Sequence, residues 1–257
     1  MSVYEISVAY WTILHKEIKR FTRIWVQTLL PPAITMVLYF IIFGSLIGPR
    51  IGTMGGFDYM QFIVPGLIMM SVITNSYGNV VSSLYGAKFQ GNIEEVLVSP
   101  VPHWIILAGF VTGGMIRGLL VGIIVTLLSL CFSNLPLINP ILVIVVMLMT
   151  SMLFSLAGFI NAIFAKSFDD ISIIPTFILT PLTYLGGVFY SIDLLPVFWA
   201  GLSQLNPILY MVDAFRYGIL GVSDINITLA LSIISIFIII LTSYCLYLLQ
   251  TGKGIRK

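Results

Sequence analysis

The sequence predicts an all-α protein that crosses a membrane six times, and three observations carry that expectation. The 257 residues are 59% hydrophobic and 9% charged, whereas soluble chains are about 25% charged. Charge-free apolar runs recur at 24–49, 59–87, 171–192 and 225–252. A further stretch, 104–165, is interrupted once by Arg117 and broken by Ser133-Asn134-Leu135-Pro136 and Asn139-Pro140, a turn signal between two apolar halves. A hydrocarbon core about 30 Å thick takes about 20 helical residues to cross. The predicted spans are therefore 25–47, 59–82, 104–132, 140–164, 171–190 and 227–249, within one transmembrane domain over 1–257 that also holds an interfacial helix over 1–23 and a tail over 250–257.

Positive charge sets the orientation, because cytoplasmic segments retain Lys and Arg. With both termini inside, Lys16, Lys19, Arg20, Arg23, Lys88, Lys166, Lys253, Arg256 and Lys257 are cytoplasmic, and only Arg50 and Arg216 are outside. The formal balance of +2 gives no footprint for a nucleic-acid partner. Cys131 and Cys245 fall near opposite membrane faces, too far apart for a disulfide. The first 23 residues have no continuous apolar core, so no cleavable signal peptide is expected.

Ahead of the first span, Val3, Ile6, Tyr10, Leu14 and Phe21 share one stripe at helical spacing, with Lys16, Lys19, Arg20 and Arg23 opposite. This is the pattern of an amphipathic helix lying on the cytoplasmic membrane surface. Such a helix can serve as a plain anchor. Glu17, which interrupts the apolar stripe, equally fits a surface touching another subunit.

Between the second and third spans, Phe89, Ile93, Val96 and Leu97 recur at helical spacing, Glu94 and Glu95 lie off that face, and Pro100 and Pro102 end the segment. A solvated linker needs neither the stripe nor the paired carboxylates, so a short docking helix is expected. The next cytoplasmic turn, Lys166-Ser167-Phe168-Asp169-Asp170, is placed to add to that surface.

After the fifth span, 191–221 mixes apolar runs with Asn206-Pro207 and the charges Asp213 and Arg216. Apolar stretches of this length suit re-entrant or interfacial helices. Asp213 and Arg216, three apart on a predicted helix, are placed to neutralise each other. A structural pair and a substrate contact both fit.

Within the third span, Gly114, Gly118 and Gly122 form a small-residue face that permits close helix approach. Arg117 lies beside it, and a mid-membrane charge usually faces a partner or an aqueous path. Asn75, Asn79 and Asn161 are partners the sequence leaves open. The histidines, His15 and His103, lie at cytoplasmic edges, and the chain has no zinc-protease His-Glu-x-x-His, no nucleophile elbow and no phosphate-binding Gly-x-x-x-x-Gly-Lys-[Ser/Thr] loop. Transport by this chain would draw energy from an ion gradient or another polypeptide.

The stretch Phe89-Gln90-Gly91-Asn92-Ile93-Glu94-Glu95-Val96-Leu97-Val98-Ser99-Pro100-Val101-Pro102 resembles the coupling region of type-two ABC exporter permeases. The same family resemblance continues through Phe168-Asp169-Asp170, Pro181 to Tyr190, and Leu205-Asn206-Pro207. The pattern is similar to a small bacterial inner-membrane permease branch and covers nearly the whole chain. The resemblance implies a bilayer-embedded homodimer above two copies of a separately encoded ATPase, which binds the ATP, so that this chain carries no cofactor and is not itself an enzyme. It further implies that Glu94 and Glu95, with Phe89 and Ile93, transmit ATP-driven closure, with Glu17, Asp169 and Asp170 adding to the coupling surface. Arg117, Gly186, Gly187, Asp213 and Arg216 are then candidates for the path or gate. Aromatic residues such as Phe177, Tyr184, Phe189, Tyr190 and Trp199 fit a hydrophobic or amphipathic cargo and fit lipid packing as well. An ion-coupled transporter and a non-transporting scaffold are the alternatives.

Overall fold

A computed structural model describes residues 2–254 as an all-α fold with one small β-hairpin. Helix α1 (Val3–Arg23) starts on a reciprocal cap: Ser2 Oγ accepts from the Glu5 N–H at 3.3 Å, and the Glu5 carboxylate accepts from the Ser2 N–H at 2.7 Å. Its inward face carries Leu14, Glu17 and Phe21, while Val3, predicted on that stripe, is exposed. The Thr28 hydroxyl donates to the Phe21 carbonyl at 3.0 Å and closes the bend into α2 (Trp25–Ile51), which widens to a π-helix over Phe40–Ile47.

Strands β1 (Thr53–Met54) and β2 (Phe57–Asp58) pair antiparallel across Gly55-Gly56. Both glycines have positive φ, 59° and 83°, as a two-residue primed turn requires. Helix α3 (Tyr59–Phe89) runs through a tolerated Pro65 and overshoots its predicted end. Short helix α4 (Asn92–Val98) follows, then α5 (His103–Ser129) and α6 (Pro140–Phe164), whose N-terminus Asn139 caps through the Leu142 N–H at 3.2 Å. Helix α7, over 170–184, consists of three five-residue pieces, the middle one a π-helix at Pro175–Leu179. Helices α8 (Val197–Gln204), α9 (Pro207–Leu220) and α10 (Ile227–Thr251) complete the chain.

Five helices, α2, α3, α5, α6 and α10, are long and apolar enough to cross a membrane. The stretch expected as the fifth crossing, 171–190, is helical over 170–184 and is shorter than those five. Residues 250 and 251 of the expected tail belong to α10, and 255–257, with Arg256 and Lys257 of the charge argument, lie outside the described residues.

Helix α3 is the central element: 83% of its most apolar window is buried, against 11% for α2 and 17% for α10. It packs most extensively on α6 and α5. Lipid tails are as apolar as leucine, so close approach rather than removal of apolar area holds such helices together. The predicted glycine face does this. A Cβ on Gly114 would strike Val80 and Ser155, one on Gly118 would strike Ser76, and one on Gly122 would strike Met147 and Val72. The same helix turns Gly109 and Gly113 towards Ile13 and Glu17 of α1, so α5 meets neighbours on two sides at backbone distance.

Candidate coupling surface and buried charge sites

Gly91, with φ of 80°, turns the chain from α3 into α4. Ile93 is buried beneath α4 among Leu84, Lys88, Ala162 and Ile163, and Val96 and Leu97 pack half-buried against the core. The Lys88 ammonium donates to the carbonyls of Ile163, at 2.5 Å, and Ala165, at 3.0 Å, as a cation suits the end of a helix such as α6. The Tyr85 hydroxyl donates to the Lys166 carbonyl at 3.1 Å. These bonds hold the 165–170 turn against the end of α3.

Phe89 does not join the buried stripe. Its ring packs 5.1 Å from Phe168, which in turn lies edge-on to Tyr85 at 5.0 Å. Phe89 is 67% and Phe168 56% exposed. Glu94, Glu95 and Asp169 are exposed beside them, and none forms an ion pair with another described residue. Asp170 behaves differently. Its carboxylate accepts from the N–H groups of Lys166, at 2.8 Å, and Ser167, at 3.1 Å, and Ser167 Oγ accepts the Asp170 N–H at 3.1 Å. The Lys166 N–H first, then Ser167, hold this carboxyl below the usual carboxylate range.

Glu17 is fully buried, which closes it to direct contact with another subunit in this conformation. Its carboxylate accepts from Ser83 Oγ at 2.6 Å and pairs with Arg20 at 3.4 Å. Arg20 also donates to Asn79 Oδ1 at 2.7 Å and to the Asn79 carbonyl at 2.9 Å. Arg117 donates to the Thr28 carbonyl and to Asn75 Oδ1, each at 3.4 Å. The three asparagines left open by the sequence thus divide: Asn75 serves Arg117, Asn79 serves Arg20, and Asn161 donates to the Tyr77 hydroxyl at 2.7 Å.

Asp213 and Arg216 form an ion pair of 3.7 Å, with both side chains almost fully buried. Arg216 donates to the carbonyls of Phe62 and Gly187 and lies 4.0 Å over the Phe62 ring. Asp213 accepts from Ser223 Oγ and from the N–H groups of Asp224 and Ile225. Asp224 then accepts from Ser191 Oγ at 2.7 Å. Gly187, at φ of 71°, bends the chain so that its carbonyl faces Arg216. A Cβ on Gly186 would lie 2.8 Å from Ile208, and one on Gly66 would lie 2.7 Å from the Val188 carbonyl. The 186–188 segment is therefore wedged between α3 and α9, and its glycines serve close packing. Cys131 and Cys245 are both free thiols. Among the described residues no cluster of His, Cys, Asp or Glu could hold a metal ion.

Residues 8–220 match the family described as ABC-2 type transporter. The chain belongs to the ABC-2 transporter family. It is 60% identical over 252 residues to the inner membrane transport permease YadH of Escherichia coli K12, covering 96% of this chain and 98% of that protein. Nodulation protein J of Rhizobium leguminosarum bv. viciae is 22% identical over 206 residues, 79% of each chain. Nodulation protein J of Rhizobium meliloti strain 1021 is 20% identical over 186 residues, 72% of this chain and 71% of its own. This ABC-2 chain is thus the transmembrane permease subunit of an ABC transporter, a multi-pass protein of the bacterial inner membrane, and a subunit of that kind implies an ATPase partner.

Several residues of the permease escaped the sequence reading. Asp224 and Ser191 anchor the loop before α10 to the turn after α7, and nothing in their spacing links them. Gly66 stood without a small-residue companion at helical spacing and gave no signal.

Proposed function

We propose that the permease works as a homodimer that exports a hydrophobic or amphipathic cargo, driven by a separately encoded ATPase that binds the ATP and docks on α4 and the 165–170 turn. The observation that carries this reading is the exposed Phe89–Phe168 ring pair beside Glu94, Glu95 and Asp169. Exposed aromatics flanked by carboxylates without an ion pair of their own suit a protein partner that supplies an apolar slot and cations. The surface is mechanically joined to the bundle. Ile93 ties α4 to α3 and α6, and Tyr85 and Lys88 tie the turn to α3, so a push on α4 reaches the central helix directly. Asp170 shapes this surface by holding its turn.

In this reading the protein is a single transmembrane domain with both termini in the cytoplasm. The α7 segment, with the 185–190 turn, makes the remaining crossing, and α8 and α9 re-enter from the outer side. The positions of Lys16, Lys19, Arg23, Lys88 and Lys166 support that orientation. ATP hydrolysis belongs to the partner, in keeping with a sequence that has no phosphate-binding loop.

The test is affinity purification of the tagged chain from its native host in mild detergent, with ATP hydrolysis assayed on the eluate. A stoichiometric soluble ATPase is expected with the native chain and not with the double variant Glu94→Lys/Glu95→Lys, which still inserts and folds. Recovery of folded permease without an ATPase in repeated preparations overturns the reading.

A further inference from the structure

We propose that the space between α1, α3 and α5 around Arg20, Asn79 and Arg117 is an anion site that takes a phosphoryl group. Charge is unbalanced there. Arg20 and Arg117 contribute two guanidiniums whose acceptors, Asn79 and Asn75, lie one turn apart on α3, and Glu17 is the one carboxylate that pairs with either among the described residues. Glu17 is moreover shared, since it also accepts from Ser83.

Donors are in surplus as well. Arg20 Nε, Arg117 Nε and Asn79 Nδ2 are all buried without an acceptor. Among the described residues Arg117 makes just two hydrogen bonds, both at 3.4 Å, near the outer limit for such a bond. The orientation of the Asn79 amide is set, because its oxygen already accepts from Arg20 at 2.7 Å, which leaves its NH2 as a donor. Asn79 is itself fully buried. Buried donors without acceptors are costly; most of the other unpartnered buried atoms among the described residues are hydroxyls, whereas these three sit on two guanidiniums and an amide linked through Asn75 and Asn79 of α3.

The donor set selects the ligand class. Guanidinium forks match phosphate and carboxylate oxygens, and donors carried on three different helices suit a tetrahedral acceptor better than a planar one. Entry is open on the Arg20 side, where that side chain is 30% exposed, and Arg117 is itself half-buried rather than sealed. Either a lipid headgroup or free phosphate can supply the group. Bound there, it would tie the N-terminal helix to the bundle through charge-assisted hydrogen bonds. Nothing in this inference depends on the ATPase, so it stands or falls separately from the proposed function.

The experiment uses the full permease in dodecyl maltoside, without the ATPase, at constant ionic strength. Phosphatidylglycerol in mixed micelles, inorganic phosphate and chloride are each titrated, with thermal unfolding and native mass spectrometry as readouts. A saturable rise in Tm with phosphatidylglycerol and stoichiometric retention of the lipid are expected; the same response to inorganic phosphate would assign the free anion as source. Arg117→Gln and Arg20→Gln should each weaken binding by about tenfold or more, as loss of a charge-assisted contact does, while Arg23→Gln, an exposed cation on α1, should bind as the native chain does. Asn79→Asp covers the case in which those variants fold poorly: it supplies a carboxylate internally, and should raise Tm without ligand and abolish the phosphoryl response. Absence of a saturable response to either phosphoryl probe, an equal response to chloride, or native affinity in Arg117→Gln or Asn79→Asp would overturn the site.

Discussion

The acidic groups at the α4 surface and those around α9 are treated in opposite ways. Asp213 is enclosed with Arg216, Ser223 and two backbone N–H groups, and every partner comes from the same chain. Glu94, Glu95 and Asp169 stand exposed without an ion pair among the described residues. Burial of a charge is tolerated where the chain itself answers it, so the α9 charges belong to the architecture. Exposed carboxylates next to exposed rings meet no such internal need, and their account lies with something outside the chain. The distinction sets the coupling candidates apart from Asp213 and Arg216, for which the sequence left a structural pair and a substrate contact open.

The largest expected effect breaks the enclosed set. Asp213→Ala leaves the Arg216 charge buried with two carbonyls and the Phe62 ring, and removing one partner of a buried pair costs about 3–5 kcal/mol. Loss of monodisperse protein in detergent, read by fluorescence-detected size exclusion, is the expected result. The paired variant Asp213→Leu/Arg216→Met should recover much of it. A stable, monodisperse Asp213→Ala protein would show that the pair faces water and return it to the transport path.

Glycines extend the comparison to uncharged positions. A Cβ on Gly118 would collide with Ser76, whereas one on Gly78 meets nothing within 4 Å. Gly118→Val should therefore lose about 1–3 kcal/mol through overpacking, while Gly78→Ala should gain about 0.5–1 kcal/mol through lower backbone entropy in an unstrained helix. Thermal unfolding of the two variants should move in opposite directions, and a fall in both would show that the open space at Gly78 is filled in the working assembly.

These cases also mark what was legible in the sequence. The long spans were, because a membrane-crossing helix needs an uninterrupted apolar run and four of the five that qualify begin and end within a few residues of their predicted bounds; α3 runs on to Phe89. The short α4 was too, because Ile93, Val96 and Leu97 recur at helical spacing and Pro100 and Pro102 end the segment. Apart from the glycine face of α5, which face of each span meets protein was not, since core and lipid are equally apolar and periodicity inside an all-apolar helix carries little contrast. For the same reason the π-helical widening at Phe40–Ile47 left no mark. Glu17 was read within the apolar stripe that the structure buries, but its partners were not legible, because Ser83 lies far along the chain. Phe89 was misplaced because Gly91 redirects the chain between it and Ile93, breaking the stripe that spacing alone implied.

At the α4 surface the expected cost to the fold is small and the cost to function large. Glu94→Lys/Glu95→Lys should change stability by no more than about 0.5 kcal/mol, as exposed substitutions do, yet abolish cargo transport in vesicles that contain the ATPase. Phe89→Ala should weaken ATPase recovery with an unchanged Tm. A fall in Tm for either variant would mean that these side chains support the fold, and would erase the contrast with Asp213.

The smallest effect concerns two neighbours on opposite sides of that contrast. Asp170 is held below the ordinary carboxylate range by the Lys166 N–H, so its stabilising contribution is complete above the unfolded value near 3.9 and is lost as pH falls through the lower folded value. Asp169 has no such contact and is exposed. Asp170→Asn should therefore unfold slightly before the native permease at pH 7, and the difference should shrink as the pH is taken below about 4. Asp169→Asn should leave Tm unaltered at both pH values while lowering ATPase recovery. If the Asp170→Asn difference stays constant across that range, the carboxylate does not hold the turn through its charge, and the turn is kept in place by Tyr85, Lys88 and the Phe89–Phe168 rings.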